Sequence, residues 1–362
     1  MRQQIPSLSG IRFFMFIPIF FLHIHGGVMW TGLAHVALSM FFCLSGFLTG
    51  YGRLAPYAAT SCRELASQTC GSMKKKFSRF YPLHLICFLY CAVMLFCFTG
   101  FGGYRPAGWE DALWKAGLNL SLTQAWFPPG PIKFSYNGVS WFLSALIFCY
   151  AAAPWLMRAL ARLKARFGAG AVVFAAAAAI CLYMFPYAFN SNLSLSADWC
   201  SLFRHEWHSW IPFRMVEFFV GMCGGCLLPL HAGGEPDDCT PATRWCVQGV
   251  AAASIAWLAC HPAVPPPLLL IPVTMLFAAL ATTRIPWLSF LSWPVFVFLG
   301  KLVMPVYLTH NLFLKTFHFL HIASADSYPR QILLFAASFA VGWLVMKLLE
   351  RMEALCLKAR QA

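Results

Sequence analysis

The recurrence of long segments without a charged residue limits what this chain can fold into more than any other feature. Residues 13–52 contain no Asp, Glu, Lys or Arg, and neither do residues 245–283. A predominantly apolar stretch of about 18 residues is long enough to cross a bilayer as an α-helix. Only 10% of the 362 residues are charged, against about 25% in soluble domains. Strand-type alternation is absent, which argues against a membrane β-barrel. We therefore predict an all-α polytopic membrane protein.

Apolar segments of this kind predict about ten transmembrane helices. They lie at roughly residues 11–29, 33–52, 80–100, 139–157, 170–189, 211–231, 245–260, 266–283, 293–313 and 330–349. With the N-terminus placed in the cytoplasm, most of the 26 Lys and Arg residues fall in cytoplasmic segments, as the positive-inside rule requires. Both termini are then cytoplasmic, and the segments 101–138 and 190–210 lie outside, long enough to cover a cavity.

A net charge of +14 could indicate binding to nucleic acid. Because the basic residues cluster in alternate loops, we attribute the charge to membrane orientation instead. The first apolar segment lacks an Ala-x-Ala-like cleavage site, and we expect it to be retained as a helix. Residues 1–350 are expected to form one transmembrane domain, and residues 351–362 a short basic cytoplasmic tail. Most of the 15 cysteines fall within apolar spans as small buried side chains, and no metal site is predicted.

Arg12 and His23 form the first candidate site, because both occur in one apolar helix with no charge between them. Eleven residues make about three helical turns plus 20°, so both side chains project from one face, about 16 Å apart along the axis. His25 lies about 220° from Arg12 and is not preferred. Polar groups of this kind within a membrane helix usually indicate function. A snorkelling arginine and a histidine bound to a carbonyl remain the alternative.

Glu217 is the only acidic residue within a predicted span, and Arg214 precedes it by one helical turn. The pair is either a structural ion pair or a functional carboxylate that orients a catalytic histidine or binds an acceptor hydroxyl. Lys76 and Arg79 belong to a basic stretch entering the third span, which either sets topology or forms an anion site for phosphates. His310 ends the ninth span.

Several short motifs in one order resemble the acyltransferase-3 family of membrane acyltransferases, over nearly the whole chain. The motifs are Leu-x-Gly-x-Arg with a histidine eleven residues after the arginine, Phe-Phe-x-Leu-Ser-Gly-Phe, a basic segment containing proline, Ser-Trp-x-Leu-Ser, Glu-Phe-x-x-Gly, and Gly-Lys followed by Tyr-Leu-x-His. They correspond here to residues 8–23, 41–48, 79–82, 137–154, 214–222 and 300–310.

Two positions depart from the usual family pattern. Ser9 stands where many members have an aspartate, and Ser39-Met40 stands where many have an acid before Phe-Phe. A further carboxylate is therefore unsupported at these places. The esterase-like domain fused to some members is not expected here.

The resemblance implies acyl transfer from cytoplasmic acyl-CoA, acetyl by default, to a hydroxyl of a glycan, a lipid-linked sugar or a macrolide-like acceptor. Of these, a cell-envelope glycan or lipid-linked sugar is the expected acceptor. It implies a multi-pass protein of the bacterial inner membrane, surrounded by lipid, with no permanently bound cofactor and an oligomeric state left open. The implied catalytic residues are His23, Arg12, Glu217 and His310. The implied donor site comprises Arg79, Lys76 and Arg12. The implied acceptor site comprises Trp141, Arg214 and Tyr307.

A secondary transporter is the alternative function, because transporters also place His, Glu and Arg within the membrane. Such proteins usually contain internal repeats and paired broken helices. Neither is evident in this sequence. A histidine on a cation-bearing helix can instead accept a hydroxyl proton or carry an acyl group. The two chemical possibilities remain open at the level of sequence.

Overall fold

The computed structural model describes residues 5–98, 100–127, 130–192, 209–228, 240–260, 266–321 and 327–361. These residues fold into helices, with a single isolated bridge between Tyr104 and Ser135. The α-helices are α1 (Pro6–His25), α2 (Gly27–Gly50), α3 (Cys62–Cys97), α4 (Trp109–Leu120), α5 (Gly130–Lys133), α6 (Trp141–Phe167), α7 (Ala169–Asn192), α8 (Ile211–Leu227), α9 (Pro241–Cys260), α10 (Pro266–Thr282), α11 (Pro294–Phe319) and α12 (Tyr328–Gln361). The prediction of an all-α fold is confirmed.

Fewer helices are suited to crossing a membrane than the sequence predicted. Every predicted span overlaps a helix, but within the described residues only six are long and apolar enough. They are Pro6–His25, Gly27–Gly50, Phe80–Cys97, Gly138–Phe167, Pro294–Phe319 and Tyr328–Arg351. A seventh is counted if Pro267–Thr282 and Pro286–Ser292, bent by 83°, form one broken span. The predicted count of ten is therefore not confirmed, because several apolar stretches form helices that are too short or too bent.

Glycines bring the backbones of α2 and α8 into direct contact. A Cβ atom at Gly46 would overlap the carbonyl oxygen of Phe218, and one at Gly221 would overlap that of Cys43. Small residues allow membrane helices to approach in this way. The two glycines belong to the Phe-Phe-x-Leu-Ser-Gly-Phe and Glu-Phe-x-x-Gly motifs, so both motifs serve helix packing. This contact sets α2 beside the part of α8 that carries Glu217.

Helix α11 runs parallel to α1, and α12 runs back in the opposite direction. Gly300 packs against Ser9 near the start of α1, whereas His310 meets His23 near its end. Helix α12 begins near the end of α1, where Gln331 bonds to His25. The start of α1 and the end of α12 therefore lie at the same end of the bundle, which we call the distal end.

Residues 101–127 and 130–138 cover the opposite end of the bundle and are called the cap. The His84 imidazole on α3 is hydrogen bonded through Nε2 to the carbonyl oxygen of Asn119, at 3.0 Å. Asn137 donates its amide hydrogen to the Leu308 carbonyl oxygen on α11, also at 3.0 Å. Both side chains are fully buried. The cap is thus fixed to α3 and α11 by buried hydrogen bonds. Losing either bond would leave a buried polar group without a partner, which destabilises the fold.

An ion pair orders the start of the helix within the cap. The Lys115 ammonium donates to Asp111 at 2.6 Å on α4. The bonds from Lys115 and from the backbone N–H of Ala107 lower the pKa of Asp111 below its ordinary value. The carboxylate lies in the first turn of α4, where negative charge also favours the helix dipole.

Candidate active site

A cavity of about 480 Å³ lies beneath the cap. This volume is within the range of small-molecule sites, about 300–1,000 Å³. Helices α1, α2, α6 and α11 and the cap contribute to its wall. The polar and aromatic lining residues are His23, His35, Tyr104, Phe134, Trp141, Tyr307, Asn311 and Lys315. Helix α1 presents His23 to this space, which explains why a side chain deep in the fold retains exposed surface.

His23 contacts His310 directly across the interface between α1 and α11. Their ring centroids are 4.8 Å apart and the rings are nearly perpendicular, at 84°. His23 Nδ1 lies 2.8 Å from the Ile19 carbonyl oxygen and 3.3 Å from His310 Nε2. The two histidines are 287 positions apart in sequence. The packing of two parallel helices brings them together at the wall of the cavity.

The hydrogen bonds assign the protons of this histidine pair. Carbonyl oxygens only accept, so His23 Nδ1 donates to Ile19 and His310 Nδ1 donates to Tyr307, the latter at 2.8 Å. When both rings are neutral, His310 Nε2 is an acceptor. The His23 Nδ1–H group then makes a bifurcated hydrogen bond to the Ile19 carbonyl oxygen and to His310 Nε2. The lone pair of His23 consequently resides on Nε2. A histidine in this state can act as a base or a nucleophile.

Aromatic side chains hold His310 in place. Its ring is fully buried and packs edge-on against Phe16 at 5.2 Å, with Phe20 at 6.2 Å and Tyr307 at 5.7 Å between ring centroids. His310 does not line the cavity, but it contacts His23, which does. This geometry suits a role for His310 in orienting the His23 side chain.

His25 points into a different environment from His23. Its Nε2 lies 3.0 Å from the Gln331 side-chain oxygen, and its ring stacks on Phe21 and Trp30. It is not part of the cavity wall. The difference follows from the helical spacing used to prefer His23.

Glu217 lies in a fully buried polar cluster with Arg214, Ser39 and Tyr183. Arg214 donates to Glu217 Oε2 at 2.6 Å, while Ser39 and Tyr183 donate to Oε1 at 2.7 and 3.0 Å. Arg214 also donates to the Ser39 hydroxyl at 3.2 Å. Both carboxylate oxygens therefore already accept bonds. A role for Glu217 or Arg214 in chemistry stays a prediction, and the geometry favours a structural role.

Trp141 separates this polar cluster from the cavity. Its indole ring lines the cavity and lies 5.7 Å from the Arg214 guanidinium, a cation–π distance. Tyr307 lines the cavity beside it. Trp141 and Tyr307 thus occupy positions where a substrate could contact them, whereas Arg214 does not.

The basic residues predicted for the donor lie toward the distal end. Arg12 is half-buried in the first half of α1, about 16 Å along the axis from His23. Lys76 lies with its ammonium 3.8 Å from the centroid of the Tyr150 ring on α6. Arg79 lies within α3, but its side chain is outside the described residues. Neither Arg12 nor Lys76 lines the cavity.

A family model described as an acyltransferase domain matches residues 5–347. The chain belongs to the acyltransferase-3 family. The acyltransferase MdmB of Streptomyces mycarofaciens is similar to this family member, with 26% identity over 351 residues, 91% of this chain and 83% of that protein. No solved structure matches.

Membership in the acyltransferase-3 family makes the protein a membrane acyltransferase with several apolar helices, and supports an O-acyltransferase reaction. The comparisons give no support to the alternative of a secondary transporter. In this family member the Arg-x10-His and Tyr-Leu-x-His motifs meet through His23 and His310. Their order in sequence predicted neither the contact nor its geometry.

Four polar residues in the cavity wall were not among the sequence candidates: His35, Tyr104, Asn311 and Lys315. His35 had a usable signal, since it is a histidine within an uncharged segment. Asn311 directly follows His310. Lys315 lies five residues after His310, near the end of an apolar helix. A lysine near a helix end is ordinarily attributed to snorkelling, and this explains why the sequence did not single it out.

Proposed function

We propose that the protein transfers an acyl group, acetyl by default, from acyl-CoA to a hydroxyl of a cell-envelope glycan or lipid-linked sugar. The observation that carries this proposal is the His23 side chain on the cavity wall, held by His310 with the lone pair on Nε2. That arrangement supplies a base within a space large enough for a small substrate.

The proposed reaction is direct transfer. His23 Nε2 takes the proton of the acceptor hydroxyl while the hydroxyl oxygen attacks the thioester carbonyl carbon. The tetrahedral intermediate then collapses, the carbon–sulfur bond breaks, and CoA thiolate leaves. The His23 imidazolium returns its proton to that sulfur. The bond from His23 Nδ1 to Ile19 and His310 stabilises the transient imidazolium, because Nδ1 remains a donor throughout.

The two ends of the bundle suit the two substrates. Acyl-CoA is an anion, and Arg12, Lys76 and Arg79 lie on the distal side of His23 along their helices. We propose that these residues bind its phosphates at the cytoplasmic face. The acceptor enters beneath the cap, where Trp141 and Tyr307 offer ring faces to a sugar. We therefore propose that the protein lies in the bacterial inner membrane with both termini in the cytoplasm.

Purified protein in lipid nanodiscs tests the reaction directly. Acetyl-CoA and a crude cell-envelope glycan fraction are added, and free CoA is measured by mass spectrometry. We expect glycan-dependent CoA release that His23→Ala abolishes and His25→Ala retains, since His25 is turned toward Gln331. Absence of release with every acyl-CoA of short chain, or release that survives His23→Ala, would overturn the proposal.

An acyl-histidine intermediate is the second chemical route, and it can be trapped. Labelled acetyl-CoA without acceptor is mixed with the protein, which is then digested and sequenced by mass spectrometry. Direct transfer predicts no label on residues 6–25. Label on His23 that a glycan chase removes would replace direct transfer with a two-step mechanism.

Sidedness is tested by thiol labelling of intact cells. The exposed native cysteines are replaced, and single cysteines are introduced at Glu110 in the cap and at Ser72 in α3, both exposed. A membrane-impermeant maleimide should label position 110 and not position 72. The reverse pattern would place Lys76 on the wrong face for acyl-CoA.

A further inference from the structure

The cavity wall contains one lysine and no acidic residue among the residues that the structure describes. Lys315 lines the cavity, and the described lining contains no Asp or Glu. No carboxylate of the described residues lies within 4.0 Å of its ammonium. A charged side chain within a membrane helix is expensive and usually marks the path of a substrate. Lys315 therefore requires an explanation beyond packing.

The ammonium of Lys315 lies directly beneath the cap. A Cβ atom at Gly103 would be 3.6 Å from Lys315 Nζ, so the cap backbone passes close to the ammonium. The neighbouring position is fixed, because the hydroxyls of Thr316 and Tyr90 are hydrogen bonded at 2.6 Å. Lys315 is thus held near the roof of the cavity and not at its floor.

Position along the helices separates Lys315 from the proposed donor site. Lys315 follows His310 by five residues, about 7.5 Å along α11, in the direction away from the distal end. Arg12 lies about 16 Å from His23 in the opposite direction. The phosphates of a CoA bound near Arg12 and the Lys315 ammonium therefore lie on opposite sides of His23. The charge faces the side from which the acceptor enters.

We infer that Lys315 binds an anionic group of the acceptor, so that the protein selects a sugar bearing a carboxylate or a phosphate near the reacting hydroxyl. This inference rests on the proposed function and names its substrate class. Asn311 lies one helical turn before Lys315 on the same wall and offers amide groups to neighbouring hydroxyls. Trp141 and Tyr307 line the same space. A carboxylate in the wall, which would repel such a substrate, is absent from the described lining.

Binding of simple sugars tests the inference without requiring turnover. Saturation-transfer NMR on the full chain in nanodiscs is used to titrate methyl β-glucuronide, glucose 6-phosphate and methyl β-glucoside. A charge-assisted bond predicts that one or both anionic sugars bind about tenfold more tightly than the glucoside. The two anionic probes distinguish a carboxylate from a phosphate.

Variants of α11 assign the preference to one side chain. Lys315→Gln should reduce the ratio of anionic to neutral affinity to about one, and Lys315→Arg should keep part of it. Lys301→Gln is the matched control, an exposed lysine near the distal end of the same helix, and should retain the full ratio. Equal affinity for anionic and neutral sugars in the unaltered protein, including no detectable binding of either, would overturn the inference.

Two further outcomes separate this inference from a different role of Lys315 and from the proposed function. If Lys315→Gln weakens the anionic and neutral sugars equally, the lysine does not recognise the anion and the inference fails. CoA release with crude glycan is measured on the same preparation. Release without an anion preference leaves the acyltransferase function standing, whereas an anion preference without release from any acyl-CoA leaves only the binding site.

Discussion

Two polar clusters lie on either side of Trp141, and they differ in which of their polar atoms still lack a hydrogen-bond partner. In the pair of His23 and His310, the Nδ1 atoms are committed as donors and His23 Nε2 keeps a lone pair beside the cavity. In the cluster around Glu217, both carboxylate oxygens already accept bonds and no member lines the cavity. A polar group within a membrane protein is therefore a candidate for chemistry when its bonding is incomplete and it borders open space.

Removing the imidazole of His23 should produce the largest change. His23→Ala is expected to lower glycan-dependent CoA release by about 10²–10⁴-fold, the usual contribution of general acid–base catalysis. The free energy of unfolding should change little, because His23 retains exposed surface on the cavity. Thermal unfolding in nanodiscs and CoA release are measured on the same sample. A loss of folding equal to the loss of activity would place His23 with the structural cluster.

Removing the carboxylate of Glu217 should act in the opposite way. Glu217→Ala removes the carboxylate that accepts from the buried Arg214 guanidinium, and breaking a buried ion pair by removing one partner costs about 3–5 kcal/mol of stability. Replacing both residues, as in Arg214→Met with Glu217→Leu, should restore much of that stability, since apolar substitutes of similar volume are often neutral.

Activity per folded molecule distinguishes the two roles of Glu217. We expect the double variant to retain CoA release once corrected for the folded fraction. A folded double variant without activity would show that Glu217 or Arg214 takes part in catalysis, as the sequence-based hypothesis has it.

His310 should give an intermediate effect on activity, because it acts through His23. His310→Ala removes one of the two acceptors of the His23 Nδ1 proton and leaves the Ile19 carbonyl oxygen as the other. It is expected to lower CoA release about tenfold to hundredfold, in line with losses on mutating groups that orient a functional histidine. His310→Gln offers a side-chain oxygen as acceptor and should recover part of the loss. Equal loss in both variants would mean that the ring itself, and not the hydrogen bond, is required.

The sequence supplied the helical class, the family and the two histidines, because each depends on composition or on spacing along one helix. The eleven-residue step from Arg12 to His23 involves no other part of the chain. The meeting of His23 with His310 depends on the glycine contact between Gly300 and Ser9, which no local pattern encodes. The count of ten spans is not confirmed for a related reason, since bends and helix length follow from tertiary packing and not from hydropathy alone.

Ser39 shows the same limit at a single residue. Its place in the sequence marked only a departure from the acid that many family members carry before Phe-Phe. The structure gives this hydroxyl two partners on another helix, with a bond to Glu217 at 2.7 Å and one from Arg214 at 3.2 Å. A serine can donate to a carboxylate and accept from a guanidinium at once, which an aspartate beside Glu217 could not do without charge repulsion.

Ser39→Ala should therefore give the smallest of these effects, a loss of about 1.5 kcal/mol in the free energy of unfolding, at the low end for hydrogen bonds to charged groups. Tyr183→Phe is the matched control, because it removes the other hydroxyl that donates to the same carboxylate oxygen at 3.0 Å. If the cluster is structural, both variants lose stability to a similar degree and keep CoA release per folded molecule. Thermal unfolding and CoA release on the same nanodisc samples give both quantities. Loss of activity in Ser39→Ala alone, at unchanged stability, would indicate that catalysis depends on the cluster around Glu217 and not only on His23.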